Sequence, residues 1–108
     1  MMGMTVEANE SYYAVIFSSQ RTEGDNGYGR MADRMEQLAA EQPGFLGVES
    51  VRDAAGSGIT ISYWDSLEAI RNWKENPLHQ TAQEKGKQDW YHNYNVKICK
   101  VERAYSSN

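Results

Sequence analysis

The first patterned segment of the chain is YYAVIFS, residues 12–18, in which β-branched and aromatic residues follow one another without a break. This composition predicts a β-strand. Both of its alternating sets are apolar: Tyr12, Ala14 and Ile16 on one face, and Tyr13, Val15 and Phe17 on the other. We therefore expect a strand that is covered on both faces. The residues before it are polar and unpatterned, which predicts a flexible N-terminal tail over residues 1–10.

The spacing of apolar residues then changes to that of a helix. Apolar positions recur every three or four residues over 27–41, which predicts a first helix. A second helix is expected to begin at an Asp65 cap, with Glu68 three residues later as its capping-box partner. It should break before Pro77, because the residue that precedes a proline avoids helical geometry. Pro77 then opens a further helical piece that ends near Gly86.

Three more segments have strand character: residues 45–52, 59–64 and about 91–105. Residues 53–58 are small and flexible and predict a hairpin loop between the first two of these strands. In the last strand the apolar set shifts from Ile98 to Cys99, which predicts a bulge or a change of strand partner near residues 98–100.

The order of elements is thus β-α-β-β-α-β. This order predicts an α+β, ferredoxin-like fold, with one antiparallel sheet that carries the helices on one face. We expect a single domain over residues 11–108. Because the first strand is apolar on both sides, the open face of the sheet needs a cover. The natural cover is a second copy of the chain, which predicts a homodimer through the open sheet face and a dimeric α/β barrel.

Composition narrows the class of protein further. The net charge of −4 argues against a nucleic-acid surface, which needs a basic face. No apolar run reaches the length of a membrane helix, so we expect no membrane partner. The single cysteine, Cys99, cannot form an internal disulfide, and this favours a reducing cytoplasm.

Candidate chemistry is concentrated between residues 63 and 92. This stretch holds all three tryptophans and both histidines: Trp64, Trp73, Trp90, His79 and His92. A histidine can transfer protons near neutral pH, and His79 is the first candidate. A half-buried packing or capping histidine is the other interpretation, and the residues alone favour it slightly. Without carboxylates or cysteines at ligand spacing, we expect no metal site.

Two segments, QPGFLGVES at 42–50 and YWDSLEAIRNWKENPLH at 63–79, closely resemble the antibiotic biosynthesis monooxygenase (ABM) domain family. The resemblance implies a small dimeric ferredoxin-like protein. In the quinone-forming branch of this family, a metal-free cavity uses a helix tryptophan, an asparagine four residues before it and a tyrosine six residues after it. Trp73 matches the tryptophan, whereas Ala69 replaces the asparagine and His79 replaces the tyrosine. In the haem-degrading branch the haem-ligating histidine falls at Gln83, so haem degradation by that route is not expected.

The resemblance therefore implies a cofactor-independent monooxygenase that acts on a small aromatic or quinol-type molecule. Trp73 and His79 are the expected catalytic residues. The expected substrate-lining residues are Trp64, Gln83, Tyr13 and Trp90. A non-enzymatic dimer that binds a small hydrophobic ligand, haem included, is the alternative, and a purely structural module is a third.

Overall fold

The computed structural model describes residues 11–107, and the tail predicted for residues 1–10 lies outside them. The elements in chain order are β1 (Tyr12–Arg21), α1 (Tyr28–Ala40), β2 (Phe45–Arg52), β3 (Ser57–Trp64), α2 (Leu67–Glu75), α3 (Pro77–Lys85), a π-helical turn (Gly86–Trp90) and β4 (Tyr91–Val101). The four strands form one antiparallel sheet in the order β2-β3-β1-β4. The predicted α+β, ferredoxin-like β-α-β-β-α-β fold is confirmed.

The predicted strand ends differ from the observed ones where pairing partners decide them. β1 continues past Ser18 to Arg21, because its polar residues still pair with both neighbouring strands. Gln20 lies opposite Ser57 and also accepts a hydrogen bond from its hydroxyl at 2.7 Å. β4 ends at Val101, short of the predicted residue 105.

The bulge or change of strand partner predicted near residues 98–100 is wrong. The β1–β4 register runs without interruption from the pair Tyr12–Val101 to the pair Gln20–Asn93, and it shifts only beyond Gln20, where Arg21 lies opposite Tyr91. Instead, β4 carries apolar residues on both of its faces. Cys99 and Val101 are half-buried on one face, opposite Ala14 and Tyr12, whereas Ile98 points to the other face.

The cap predicted for α2 is off by one residue. Ser66, not Asp65, is the N-cap: its backbone is extended and its hydroxyl accepts a hydrogen bond from the Ala69 amide at 3.0 Å. Pro77 does break the helix as predicted, and it is the first residue of α3. The residue between the helices, Asn76, ends α2 and caps α3.

The core lies between α1, α2 and the sheet, and Trp64 at the end of β3 is its most buried member, with no exposed surface. The PGFLG turn brings its backbone close to this core. Gly44 has a positive φ of 87°, and a Cβ at this position would lie 2.6 Å from the Ala69 side chain. Glycine is therefore required there by both conformation and space.

The sheet register defines two faces. Directly opposed residues of an antiparallel pair share a face. The helix face carries Trp64, Tyr13 and Val15, which pack on the core with the helices. The open face carries Tyr12, Ile16, Ile59 and Ile61, among others.

Candidate functional site

Three of the residues singled out in the sequence form a continuous aromatic stack. The ring centroids of Trp64 and Trp73 lie 6.0 Å apart at an interplanar angle of 27°. The His79 imidazole lies 4.1 Å from the Trp73 ring at 13°, which is close parallel stacking. We call Trp64, Trp73 and His79 the aromatic stack. It connects β3 through α2 to the first turn of α3.

His79 also makes a hydrogen bond to the backbone of the residue on which it stacks. Its Nδ1 lies 3.0 Å from the Trp73 carbonyl oxygen. A carbonyl oxygen only accepts, so Nδ1 must carry the proton and donate it. In the neutral ring this leaves the lone pair on Nε2.

The protonation state of His79 follows from its surroundings. Burial lowers the pKa of His79 below its ordinary value of 6.5, and the hydrogen bond to the Trp73 carbonyl opposes this shift without reversing it. The ring is therefore neutral at pH 7. Among the described residues no side-chain nitrogen is both buried and without a hydrogen-bond partner. Since Nε2 has no such partner, it is accessible from outside the core.

The corner between α2 and α3 holds this arrangement in place. The break before Pro77 frees the Trp73 carbonyl near the end of α2, where it accepts from the Asn76 amide at 3.1 Å as well as from His79. The Asn76 side chain accepts from the amides of Leu78 at 3.0 Å and His79 at 3.3 Å. Asn76 was not among the site residues predicted from the sequence, although an Asn-Pro pair at a helix start is the signal of such a cap.

The other predicted site residues divide into two groups. Tyr13 packs on the core beside Trp64 and Trp73 and is thus close to the aromatic stack. Gln83 is exposed on α3, one turn after His79. Trp90 is buried elsewhere: it packs edge-on against Tyr28 at 5.8 Å, and its indole N–H donates to the Asn26 carbonyl at 2.9 Å. Trp90 therefore anchors the turn before β4 to the loop before α1.

The β4 part of the helix face is left uncovered. Three apolar residues of β4 point to this face by register and are exposed: Tyr94 (39%), Val96 (48%) and Ile98 (52%). Lys100 continues the same set at the end of the strand. We call these four residues the β4 shelf. A shallow concavity of about 630 Å³ lies elsewhere, at the β2–β3 hairpin end of the sheet beside Arg52, Ser18 and Asn95.

Among residues 11–107 no three histidine, cysteine, aspartate or glutamate side chains are grouped so as to hold a metal ion. Within the same range, none of the helices combines the length and the apolarity needed to cross a membrane. The position at which the quinone-forming branch has an asparagine is Ala69, which is buried in the core. Besides His79 and the residues that hold it, Ser62 is a polar residue at the stack: its hydroxyl accepts a hydrogen bond from the Trp64 indole N–H at 2.9 Å.

The fold places the chain in the class of small ferredoxin-like α+β proteins. Residues 12–85 match the family described as antibiotic biosynthesis monooxygenase. The chain therefore belongs to the antibiotic biosynthesis monooxygenase family. A curated relative, the uncharacterized protein YqjZ of Bacillus subtilis (strain 168), is 61% identical over 92 residues, which cover 85% of this chain and 81% of the relative.

Solved structures share the fold at low sequence identity. A mutant of SnoaB, a cofactor-independent oxygenase from Streptomyces nogalater, superposes with a TM-score of 0.77 at 13% identity and covers 89% of this chain and 98% of SnoaB. SO0527 from Shewanella oneidensis also has a TM-score of 0.77, at 10% identity, over 91% of this chain and 98% of its own. Rv0793 from Mycobacterium tuberculosis has a TM-score of 0.70 at 13% identity, over 90% and 99%.

Proposed function

We propose that this protein is a cofactor-independent monooxygenase that oxidises a small hydroxylated aromatic molecule to a quinone. The observation that carries the proposal is the His79 ring, which is neutral, fixed by Trp73 and left with an accessible Nε2 lone pair. Membership of a monooxygenase family and the fold shared with a cofactor-independent oxygenase support the same reaction class.

In the proposed reaction the substrate supplies the electrons. Nε2 of His79 accepts the phenolic proton, and the electron-rich anion reacts with O₂ at the ring carbon opposite the oxygen. One oxygen atom of O₂ becomes the new carbonyl and the other leaves as water with the two hydrogens that the substrate has lost. The hydroxyarene and O₂ thus give the quinone and water, with no further reductant. The Trp73 ring covers one face of the His79 imidazole, so the ring edge with Nε2 is the part that meets the substrate.

The residues predicted from the sequence have different roles in the proposed site. The His79 ring covers Trp73 at 4.1 Å, so Trp73 acts as a positioning residue that sets the ring plane and the tautomer of His79. Trp64 stacks against Trp73, and Tyr13 packs against the same core cluster from the sheet. We leave Trp90 out of the proposed site because it packs in a different cluster, with Tyr28 and the loop before α1.

The test is oxygenation of 1-naphthol to 1,4-naphthoquinone under isotopically labelled O₂, followed by mass spectrometry of the quinone. The wild-type protein should give quinone with one labelled oxygen, and His79→Ala should lower the rate by about two orders of magnitude, the usual size of a general-base contribution. The matched control is His92→Ala, since His92 is an exposed histidine on β4. Quinone formation no faster than without protein contradicts the proposal, and so does full activity in His79→Ala.

A non-enzymatic dimer that holds a small hydrophobic ligand is the second candidate. The observation that favours it is Ala69, which puts an apolar side chain where the quinone-forming branch has a polar one. Binding of 1-naphthol at the stack without oxygen uptake supports this candidate over the enzyme.

We further propose a homodimer through the open face of the sheet as the working form, in the cytoplasm. The free thiol of Cys99 suits a reducing compartment. The partners proposed are therefore a second copy of the chain and a small aromatic molecule, and the acidic net charge gives no support for nucleic acid.

A further inference from the structure

The register of the sheet places one lysine in line with the aromatic stack. Phe45 lies opposite Trp64, Trp64 lies opposite Tyr13, and Tyr13 lies opposite Lys100. These residues form a single cross-strand row over β2, β3, β1 and β4, and all of them face the helices. The row therefore consists of three aromatic residues and ends in a cation.

The surroundings of Lys100 are apolar and open. On its own strand it follows Ile98, which is 52% exposed on the same face. No acidic side chain among the described residues forms an ion pair with Lys100; the two ion pairs found there join Lys85 to Asp89 and Lys87 to Glu84. Glu102, two residues further on, is exposed and forms no ion pair with Lys100, so the ammonium group can bind an anion from outside.

The β4 shelf gives that ligand an apolar surface beside Lys100. Val96 is 48% and Ile98 52% exposed on the same face. A flat aromatic body with one acidic substituent can lie on these two side chains while the substituent reaches the Lys100 ammonium group.

We propose that Lys100 binds the anionic group of the ligand, and that this ligand is an aromatic carboxylate. The inference rests on the proposed site beside the aromatic stack and names the class of molecule that it takes. Lys97 does not share this role, because it lies opposite Ile16 and points to the open face.

The experiment compares two probes that differ in charge, 2-naphthoate and 2-naphthamide, by titration of the uniformly nitrogen-labelled protein in NMR. The wild-type protein should bind the carboxylate about tenfold more tightly than the amide, as expected for one charge-assisted contact at an open site. The indole signal of Trp73 should shift, whereas that of Trp90 should not. Lys100→Met keeps the apolar stem of the side chain and should bind both probes equally.

The matched control is Lys97→Met, which should keep the wild-type preference for the carboxylate. Equal binding of the two probes by the wild-type protein overturns the assignment of Lys100 while the site itself stands. An equal loss in both lysine variants, or no binding of either probe, also overturns it. If the preference is found but no quinone forms from 1-naphthol, Lys100 keeps its role and the oxygenation fails.

Discussion

The imidazole of His79 makes two different contacts with a single neighbour. Its ring stacks on the Trp73 indole, and its Nδ1–H donates to the Trp73 carbonyl. The first contact fixes the plane of the ring and the second fixes its rotation in that plane. A proton acceptor held in this way does not have to be reoriented when a substrate binds, and such preorganisation is what a catalytic base requires.

The protonation of His79 should also appear in the stability of the protein. Burial keeps the pKa of His79 lower in the folded chain than in the unfolded one. As the pH falls below about 6.5, the unfolded chain therefore binds the proton first and the free energy of unfolding decreases, by about 1.4 kcal/mol for each unit of pKa difference. His79→Gln should lose less stability than the wild-type protein between about pH 7.5 and about pH 5.5, as measured by urea unfolding.

His92→Gln is the control for this comparison, because it removes an exposed histidine and should keep the wild-type loss. An equal loss in His79→Gln and the wild-type protein would show that other groups cause the whole pH dependence.

The sequence identifies Trp73 and His79 as candidates, but it does not pair them. They are six residues apart and lie on either side of the break at Pro77, so no helical periodicity relates them. Their contact depends on the angle at which α3 leaves α2. Lys100 was missed for a similar reason. Alternation puts Lys97 and Lys100 on opposite faces of β4, but only the register with β1 shows which of them lies on the helix face.

At the scale of the elements, the α2–α3 corner links stability to the site. Asn76 accepts two backbone hydrogen bonds at the start of α3, one of them from His79 itself. Ser66 performs the equivalent role at the start of α2, where it accepts from the Ala69 amide. The two caps are comparable in strength, but only the first lies next to the proposed base.

This difference gives a prediction with an internal control. Asn76→Ala and Ser66→Ala should each lower the free energy of unfolding by about 1 kcal/mol, the usual cost of a lost N-cap. Only Asn76→Ala should also change the nitrogen NMR shifts of the His79 imidazole and lower the rate of quinone formation, because it loosens the turn that carries the ring. A similar effect of both variants on the His79 signals would mean that the cap does not position the ring.

The elements themselves were largely predictable because their signals are local. Alternation in YYAVIFS, helical spacing over 27–41 and the Asn76-Pro77 break each depend on a few neighbouring residues. The α2 cap was local and wrong by one residue, whereas the strand predictions that were wrong depend on distant partners. The true end of β1 and the true position of the register shift are decided by β3 and β4, which no local pattern describes.

At the scale of the whole molecule, the two faces of the sheet differ in how they are covered. On the helix face α1 and α2 cover Trp64 and Tyr13 but leave the β4 shelf exposed. The open face is apolar at Tyr12, Ile16 and Ile61, and on it Ile59 is 43% and Val51 72% exposed. The helix face thus leaves the β4 shelf exposed, and the open face leaves Ile59 and Val51 exposed on a surface that also carries Glu49 and Lys97.

The proposed dimer can be tested on this open face. In sedimentation equilibrium at micromolar concentration, the wild-type protein should have twice the 12.3 kDa mass of one chain. Ile59→Glu places a charge in the proposed interface and should give the monomer, since a buried unpaired charge costs several kcal/mol. Leu67→Glu is the matched control: Leu67 is 52% exposed on α2, on the other side of the sheet, and its substitution should leave the dimer intact.

A wild-type monomer would refute the dimer, and a dimer that persists in Ile59→Glu would place the interface on another surface. If monomeric Ile59→Glu still oxidises 1-naphthol, each chain carries a complete site, as expected when the aromatic stack and the β4 shelf both lie on the helix face.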